Sequence, residues 1–138
     1  MSKDCIFCKI IAGDIPSFKV FEDDATLAFM DINPVHDGHV LIIPKEHSAN
    51  LMEVSQSALS KTSKTAQKVA RAVQKTLNPP GMNLLQCNGE AAKQSVLHFH
   101  MHVLPRQLDD GATLNWEIVP GDMSKIENLA KQIARNLE

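Results

Sequence analysis

The stretch VLHFHMHVLP, residues 96–105, decides how this chain is read. Leu97, Phe99, Met101 and Val103 alternate with His98, His100 and His102, a strict period-two pattern. A β-strand sends alternate side chains to opposite faces, so the apolar set predicts a core face and the imidazoles predict one shared opposite face. Successive rings on such a face stand about 6.6 Å apart. Three of the six histidines fall within these few residues, and imidazole is the side chain that changes charge near neutral pH. A surface strand that is histidine-rich by chance explains that concentration poorly. Two chemical readings stay open on spacing alone. One is a metal site, including a catalytic zinc held by all three histidines. The other is nucleophilic and acid–base chemistry in which neighbouring rings orient one another.

The bulk numbers narrow the setting. With 138 residues, the chain predicts a single domain, 1–138, large enough to bury a core. Hydrophobic residues make up 43% and charged residues 22%, as in ordinary globular proteins. A net charge of −2 carries no basic footprint for nucleic acid. The longest aliphatic run, Val40 to Ile43, is too short to span a bilayer, and MSKDCIF lacks the pattern of a secretory signal. The expectation is a cytoplasmic protein with reduced thiols, no nucleic-acid partner and no membrane partner; three cysteines, an odd count, do not suggest a disulfide framework.

Outward from the histidine stretch, the elements follow from periodicity and punctuation. CIFCKIIAG predicts a short amphipathic helix stopped by Gly13. FKVFED and ATLAFMDI predict strands joined at Asp23-Asp24, and HVLIIP a buried strand ended by Pro44. From Ser55 to about Leu77, Leu59, Ala66, Val69, Ala70, Val73 and Leu77 recur at helical spacing until NPPG ends the run. MNLLQCN predicts a further strand. Ser124 and Glu127 form a capping-box pair before a stripe of Ile126, Leu129, Ala130, Ile133 and Leu137, predicting a helix at about 124–137. Gln107 to Pro120 yields no clear element. The sum is an α+β domain: a mostly antiparallel sheet of about five strands, two main helices and a short N-terminal helix.

Two further groupings carry chemistry. The run CNGEAAKQSV before the triad is small and polar; Asn88, Gly89, Gln94 and Ser95 with backbone N–H groups could converge on an anion, or simply make a turn. Cys5 and Cys8 form a C-x-x-C pair, which reads as a redox dithiol, as two buried helix thiols, or as half of a zinc site. Cys87 predicts a small core residue on a strand. His36 predicts an exposed side chain and His39 a structural hydrogen-bonder.

QSVLHFHMHVLPR resembles the signature of the histidine-triad (HIT) family of nucleotide hydrolases and transferases. IFCKIIAGDIPS, FEDDATLAFMDINP, GHVLIIPKEH and NGEAAKQSV resemble that family's successive blocks in order, so the likeness covers about residues 5–106. The resemblance implies the adenosine phosphoramidase branch, with dinucleoside polyphosphate hydrolysis as the alternative and a non-catalytic nucleotide binder as a third reading. It implies that His100 attacks the α-phosphorus to form a nucleotidyl-histidine that water hydrolyses. His102 would contact phosphate oxygens, and Ser95 and Gln94 would stabilise their charge. Ile6, Phe7, Ile10, Phe29 and Ile32 would clamp the base, Asp31 would bind the ribose hydroxyls, and Asn88 would belong to the nucleotide site. Cys5, Cys8, His47 and His98 would hold a structural Zn²⁺ as a closed tetrahedral set. A homodimer through the long helix and a sheet edge is implied as well. Lys93 departs from the family's usual glycine before the loop glutamine; its side chain would point to solvent or reach an extra phosphate of a polyphosphate leaving group.

Overall fold

The computed structural model of the chain describes residues 3–112 and 119–138. Five antiparallel strands form one sheet in the order β1-β2-β3-β5-β4, from β1 (Lys19–Glu22), β2 (Thr26–Met30), β3 (Val40–Pro44), β4 (Gly81–Gln86) and β5 (Met101–Arg106). Helices α1 (Ile6–Ala12), α2 (Gln56–Leu77) and α3 (Met123–Arg135) complete the α+β architecture that the periodicity predicts.

Both faces of the sheet are covered, which explains why VLIIP is a continuous aliphatic run rather than an alternating one. On one face Ala28, Val40, Ile42, Phe99, Met101 and Val103 pack against Ala66, Val69 and Val73 of α2. On the other, Leu27, Phe29, Leu41 and Ile43 pack against Cys5, Phe7 and Cys8 of the N-terminal helix region. The Ser55 hydroxyl caps α2 by accepting from the Ala58 N–H, and Asn78 ends it in the left-handed conformation. Gly13 does the same for α1 at φ +84°.

Several expectations need correction, those for Cys87 and His36 among them. The strand predicted over 96–105 begins only at Met101, so His98 and His100 lie on the irregular approach to β5. Alternation survives there for Phe99 but not for Leu97, which is 66% exposed. The apolar set is not the sole core face, since the imidazole face is buried as well: His98 is 0% and His100 2% exposed, because α1 closes over it. The third correction concerns α3, whose N-cap is Asp122, accepting from the Lys125 N–H at 3.2 Å, instead of Ser124. Its apolar stripe is exposed, with none of its residues buried. Cys87 lies just past β4 and is half-buried. His36 is half-buried too, with Nε2 3.2 Å from Asp110 Oδ2. Within the stretch without a clear element, 113–118 fall outside the described residues.

Candidate functional site

The N-terminal helix places two thiols against two imidazoles. Helical spacing puts Cys5 and Cys8 one turn apart, and the Cys8 N–H donates to Cys5 Sγ. His98 Nδ1 lies 3.5 Å from Cys5 Sγ and 3.6 Å from Cys8 Sγ. His47 Nδ1 lies 3.4 Å from Cys8 Sγ and 3.1 Å from His98 Nδ1. Zinc bonded tetrahedrally at its usual distances separates sulfur from nitrogen by about 3.6 Å and two nitrogens by about 3.3 Å. These four separations therefore match edges of a zinc tetrahedron, and all four ligand atoms lie within 4.8 Å of one another. The second ring nitrogen agrees: His98 Nε2 is 2.8 Å from the Pro44 carbonyl, which can only accept, so Nε2 carries the proton and Nδ1 keeps its lone pair toward the thiols. Burial, more than any neighbour, lowers the His98 pKa to about 4, leaving the ring neutral. These residues fit the ion in number, type and spacing.

The other two triad histidines line a separate cleft of about 230 Å³. Ile6, Phe7, Ile10, Phe29, Asp31, Ile32, Ser95, His100 and His102, all expected at the site, line it. Ile15, Pro16, Ser17, Met30, Asn33, Leu41 and Val96 add to the wall and were not singled out from sequence. The signal for the first three was present, since they end the IFCKIIAGDIPS block. Ile32 is 75% and Ile6 46% exposed, apolar surface of the kind that awaits an apolar guest.

Backbone groups fix the proton positions at the polar end. His100 Nδ1 sits 2.7 Å from the His98 carbonyl, so it must donate, and the lone pair resides on Nε2. Burial lowers the pKa of His100 and keeps it neutral. Phe7 meets His100 edge-on at 5.1 Å between ring centres and also touches His98 and Phe29. The Val35 N–H donates to His39 Nδ1 at 3.1 Å, so His39 carries its proton on Nε2 and donates it to His102 Nδ1, 2.9 Å away. His102 in turn carries its proton on Nε2. Burial and the neighbouring histidines lower its pKa to about 4. Asp31, His39 and His102 also cluster closely enough to suggest a metal. With His39 accepting at Nδ1 and donating at Nε2, however, that trio is a hydrogen-bond relay. Asp31 Oδ1 accepts from the Asn33 N–H at 2.8 Å, while Oδ2 lies 3.5 Å from His39 Nε2.

Two expected residues stand outside the cleft. Gln94 braces the loop: its Oε1 accepts from the Gly89 N–H, and its Nε2 donates to the Ala49 and Val96 carbonyls. Asn88 accepts from the Leu51 N–H and exchanges amide bonds with Gln86. Lys93 is exposed, does not line the cleft, and holds a left-handed φ of +66° at the end of the single 3-10 turn Glu90–Ala92. Only the glycine it replaces adopts that conformation freely. The three triad histidines do not form one ligand set: His98 belongs to the thiol cluster, His102 to the relay, and His100 to neither.

Comparison with known proteins follows the same lines. Residues 12–109 match the family model described as HIT domain. A crystal structure of a HIT-family member from Bacillus subtilis superposes with a TM-score of 0.92 at 43% identity, covering 99% of both chains. The adenosine 5'-monophosphoramidase of Schizosaccharomyces pombe is 38% identical over 97% of this chain and 98% of its own length. A zinc-bound histidine-triad protein from Mycobacterium smegmatis has a TM-score of 0.75 at 31% identity, covering 96% of this chain and 98% of its own.

Proposed function

This chain belongs to the HIT-domain family, and from that premise we propose that it is a nucleotide hydrolase, specifically a purine nucleoside phosphoramidase that releases AMP. The reading rests above all on one observation: the His98 carbonyl pins the His100 proton on Nδ1 and leaves the Nε2 lone pair beside a cleft that also holds His102 and Ser95. The similarity to a named phosphoramidase supports the substrate class.

In this proposal the Nε2 lone pair of His100 forms a bond to the α-phosphorus while the P–N bond breaks. The departing nitrogen leaves with one added proton, and the water consumed in the second step returns one. The His98 carbonyl, accepting from Nδ1–H, steadies the positive charge that His100 acquires. His102 offers its Nε2–H to a phosphate oxygen, and Ser95 offers its hydroxyl. A water oxygen then bonds to phosphorus, gives up a proton, and releases AMP from Nε2. Splitting the displacement in two lowers each barrier. Gln94 acts one step removed, by holding the loop that carries Ser95, and Asn88 and Gln86 brace the same loop. The base lies between Ile10, Phe29 and Ile32, and the Asp31 carboxylate meets the ribose hydroxyls with its remaining lone pairs.

Cys5, Cys8, His47 and His98 would hold Zn²⁺, whose contribution is structural: four filled positions leave none for substrate. The proposal extends to a single domain with α3 appended and to a homodimer through α2 and a sheet edge. No described helix is long and apolar enough to cross a membrane. Turnover of adenosine 5'-phosphoramidate tests the assignment. The native protein is expected to release AMP, and His100→Ala to lose roughly a thousandfold or more in kcat/KM. A His100→Ala protein at full activity would end it.

A further inference from the structure

The long helix α2 carries five cations and no acid. Lys61, Lys64, Lys68, Arg71 and Lys75 fall within Gln56–Leu77, and none of the chain's 16 Asp and Glu residues does. The net charge of −2 conceals that segregation. The spacing alternates three and four residues, so all five project within an arc of about 80° and form a straight row about 21 Å long. Every one of them is exposed. The row lies on the flank turned toward β1: Lys68 Nζ stands 4.5 Å from the centre of the Phe21 ring, and its charge acts on Asp23. Because β1 and β4 are opposite edges of the sheet, an interface through β4 and the other flank of α2 leaves the row open. A groove of about 390 Å³ follows it, lined by Lys64, Gln67, Lys68, Arg71, Ala72 and Lys75.

Nothing inside the fold balances this charge. Cations three and four apart on a helix repel one another, and none of the five forms an ion pair among the described residues. Helix α3 shows the ordinary arrangement, with Lys131 paired to Glu127 at 3.2 Å. The core does not require the row either, since α2 meets it through Ala66, Val69 and Val73. A row of this kind is complementary to a row of anions supplied from outside.

Geometry discriminates among the polyanions. A bilayer surface is held by cations together with apolar residues that enter it, but the exposed large apolar residue of α2, Leu77, lies on the opposite flank. Single-stranded nucleic acid calls for aromatic stacking platforms, and the one ring beside the row, Phe21, is covered by Lys68. A duplex backbone winds about its own axis and turns away from a straight row. Five carboxylates on one face of an extended chain span about 26 Å, overshooting the row by about one cation spacing. A second helix has the same rise as α2, so carboxylates at the same alternating spacing meet all five cations in register.

We propose that this face of α2 docks an acidic helix of a partner protein, one that presents Asp or Glu at alternating intervals of three and four residues. The surface takes no part in the proposed hydrolysis.

Fluorescence anisotropy with the full-length protein tests it, using two labelled helical peptides of identical composition. One carries five glutamates at the spacing of the row, and the other distributes them around the helix. A short DNA duplex and vesicles of phosphatidylcholine and phosphatidylserine in equal parts are titrated alongside. The aligned peptide is expected to bind about tenfold more tightly than the distributed one at low ionic strength, and about tenfold more weakly once salt reaches ~0.3 M. Replacing Lys64, Arg71 and Lys75 together by Gln, which suits an exposed helix nearly as well, should weaken the aligned peptide at least tenfold, by order of magnitude, while Tm and nucleotide turnover stay native. Replacing Lys125, Lys131 and Arg135 of α3 by Gln removes the same charge elsewhere and should leave the affinity unchanged. Equal binding of the two peptides, equal losses in the two variants, or tighter binding of the duplex or the vesicles than of the aligned peptide would overturn the proposal.

Discussion

Two histidine clusters meet along five residues, and the same side chain is put to opposite uses in them. His98 points its Nδ1 lone pair at Cys5, Cys8 and His47, a set that closes on itself. His100, two residues on, keeps its lone pair on Nε2 and lines the adjoining cleft. The local cause is which ring nitrogen meets a backbone carbonyl: Nε2 of His98 on Pro44, Nδ1 of His100 on His98. A neutral imidazole has one proton, so choosing its acceptor also chooses where the lone pair goes. In the proposed mechanism, two carbonyl groups thus separate a structural ligand from a nucleophile. Phe7 ties the two together, since it packs against both rings from α1.

That division gives distinct signatures when each side is broken. The largest effect on chemistry belongs to the open side: His100→Ala is expected to lose roughly a thousandfold or more in turnover while keeping the zinc content of the unsubstituted protein. Elemental analysis beside a turnover assay checks it; joint loss of metal and activity would merge the two clusters into one site. The closed side should answer in the opposite sense. Cys8→Ala removes one of the proposed zinc ligands and is expected to abolish metal binding and cost several kcal/mol of stability, read as a fall in Tm of roughly 10 °C or more. Phe7→Ala, at the junction, should cost about 3–5 kcal/mol through the cavity it leaves and lower both turnover and metal retention.

The buried relay behind His102 makes a smaller prediction. Its pKa is lowered to about 4 from an ordinary 6.5, so the unfolded chain binds the proton first as pH falls. The folded state therefore keeps this contribution above pH 6.5 and loses it progressively toward pH 4. Denaturant unfolding at several pH values should show stability falling with acid across that window. His102→Asn should flatten the slope by up to one proton; an unchanged slope would show that the ring is not held neutral by the fold. The smallest expected effect is at Lys93, whose left-handed backbone conformation costs a lysine more than a glycine. Lys93→Gly should raise stability by about 0.5–1 kcal/mol and leave turnover unchanged. A drop in activity would return the lysine side chain to the site.

The sheet, α1 and α2 were legible because their apolar spacing is regular and their ends carry Ser55, Gly13 and Asn78. The cleft residues were legible only through family resemblance, since Phe7, Phe29 and Ile10 read equally well as plain core. The start of β5 was misplaced because alternation persists at Phe99 after ladder pairing has stopped. Nor does period-two spacing reveal that α1 covers the imidazole face, a tertiary contact made some ninety residues away in sequence. The internal roles of Gln94 and Asn88 were hidden for a similar reason: amide side chains suit a phosphate and a loop brace alike, and only their partners Ala49 and Leu51 distinguish the two. The relay from Val35 through His39 to His102 depends on a backbone N–H whose direction no sequence pattern encodes.

Mass spectrometry of the native protein, quenched during turnover of an adenosine phosphoramidate and digested for peptide mapping, tests the central claim most directly. The account predicts an AMP adduct on the peptide spanning residues 96–106, localised to His100 and absent from a His100→Ala sample. An adduct on another side chain, or brisk turnover with no protein adduct trapped under rapid quenching, would contradict it.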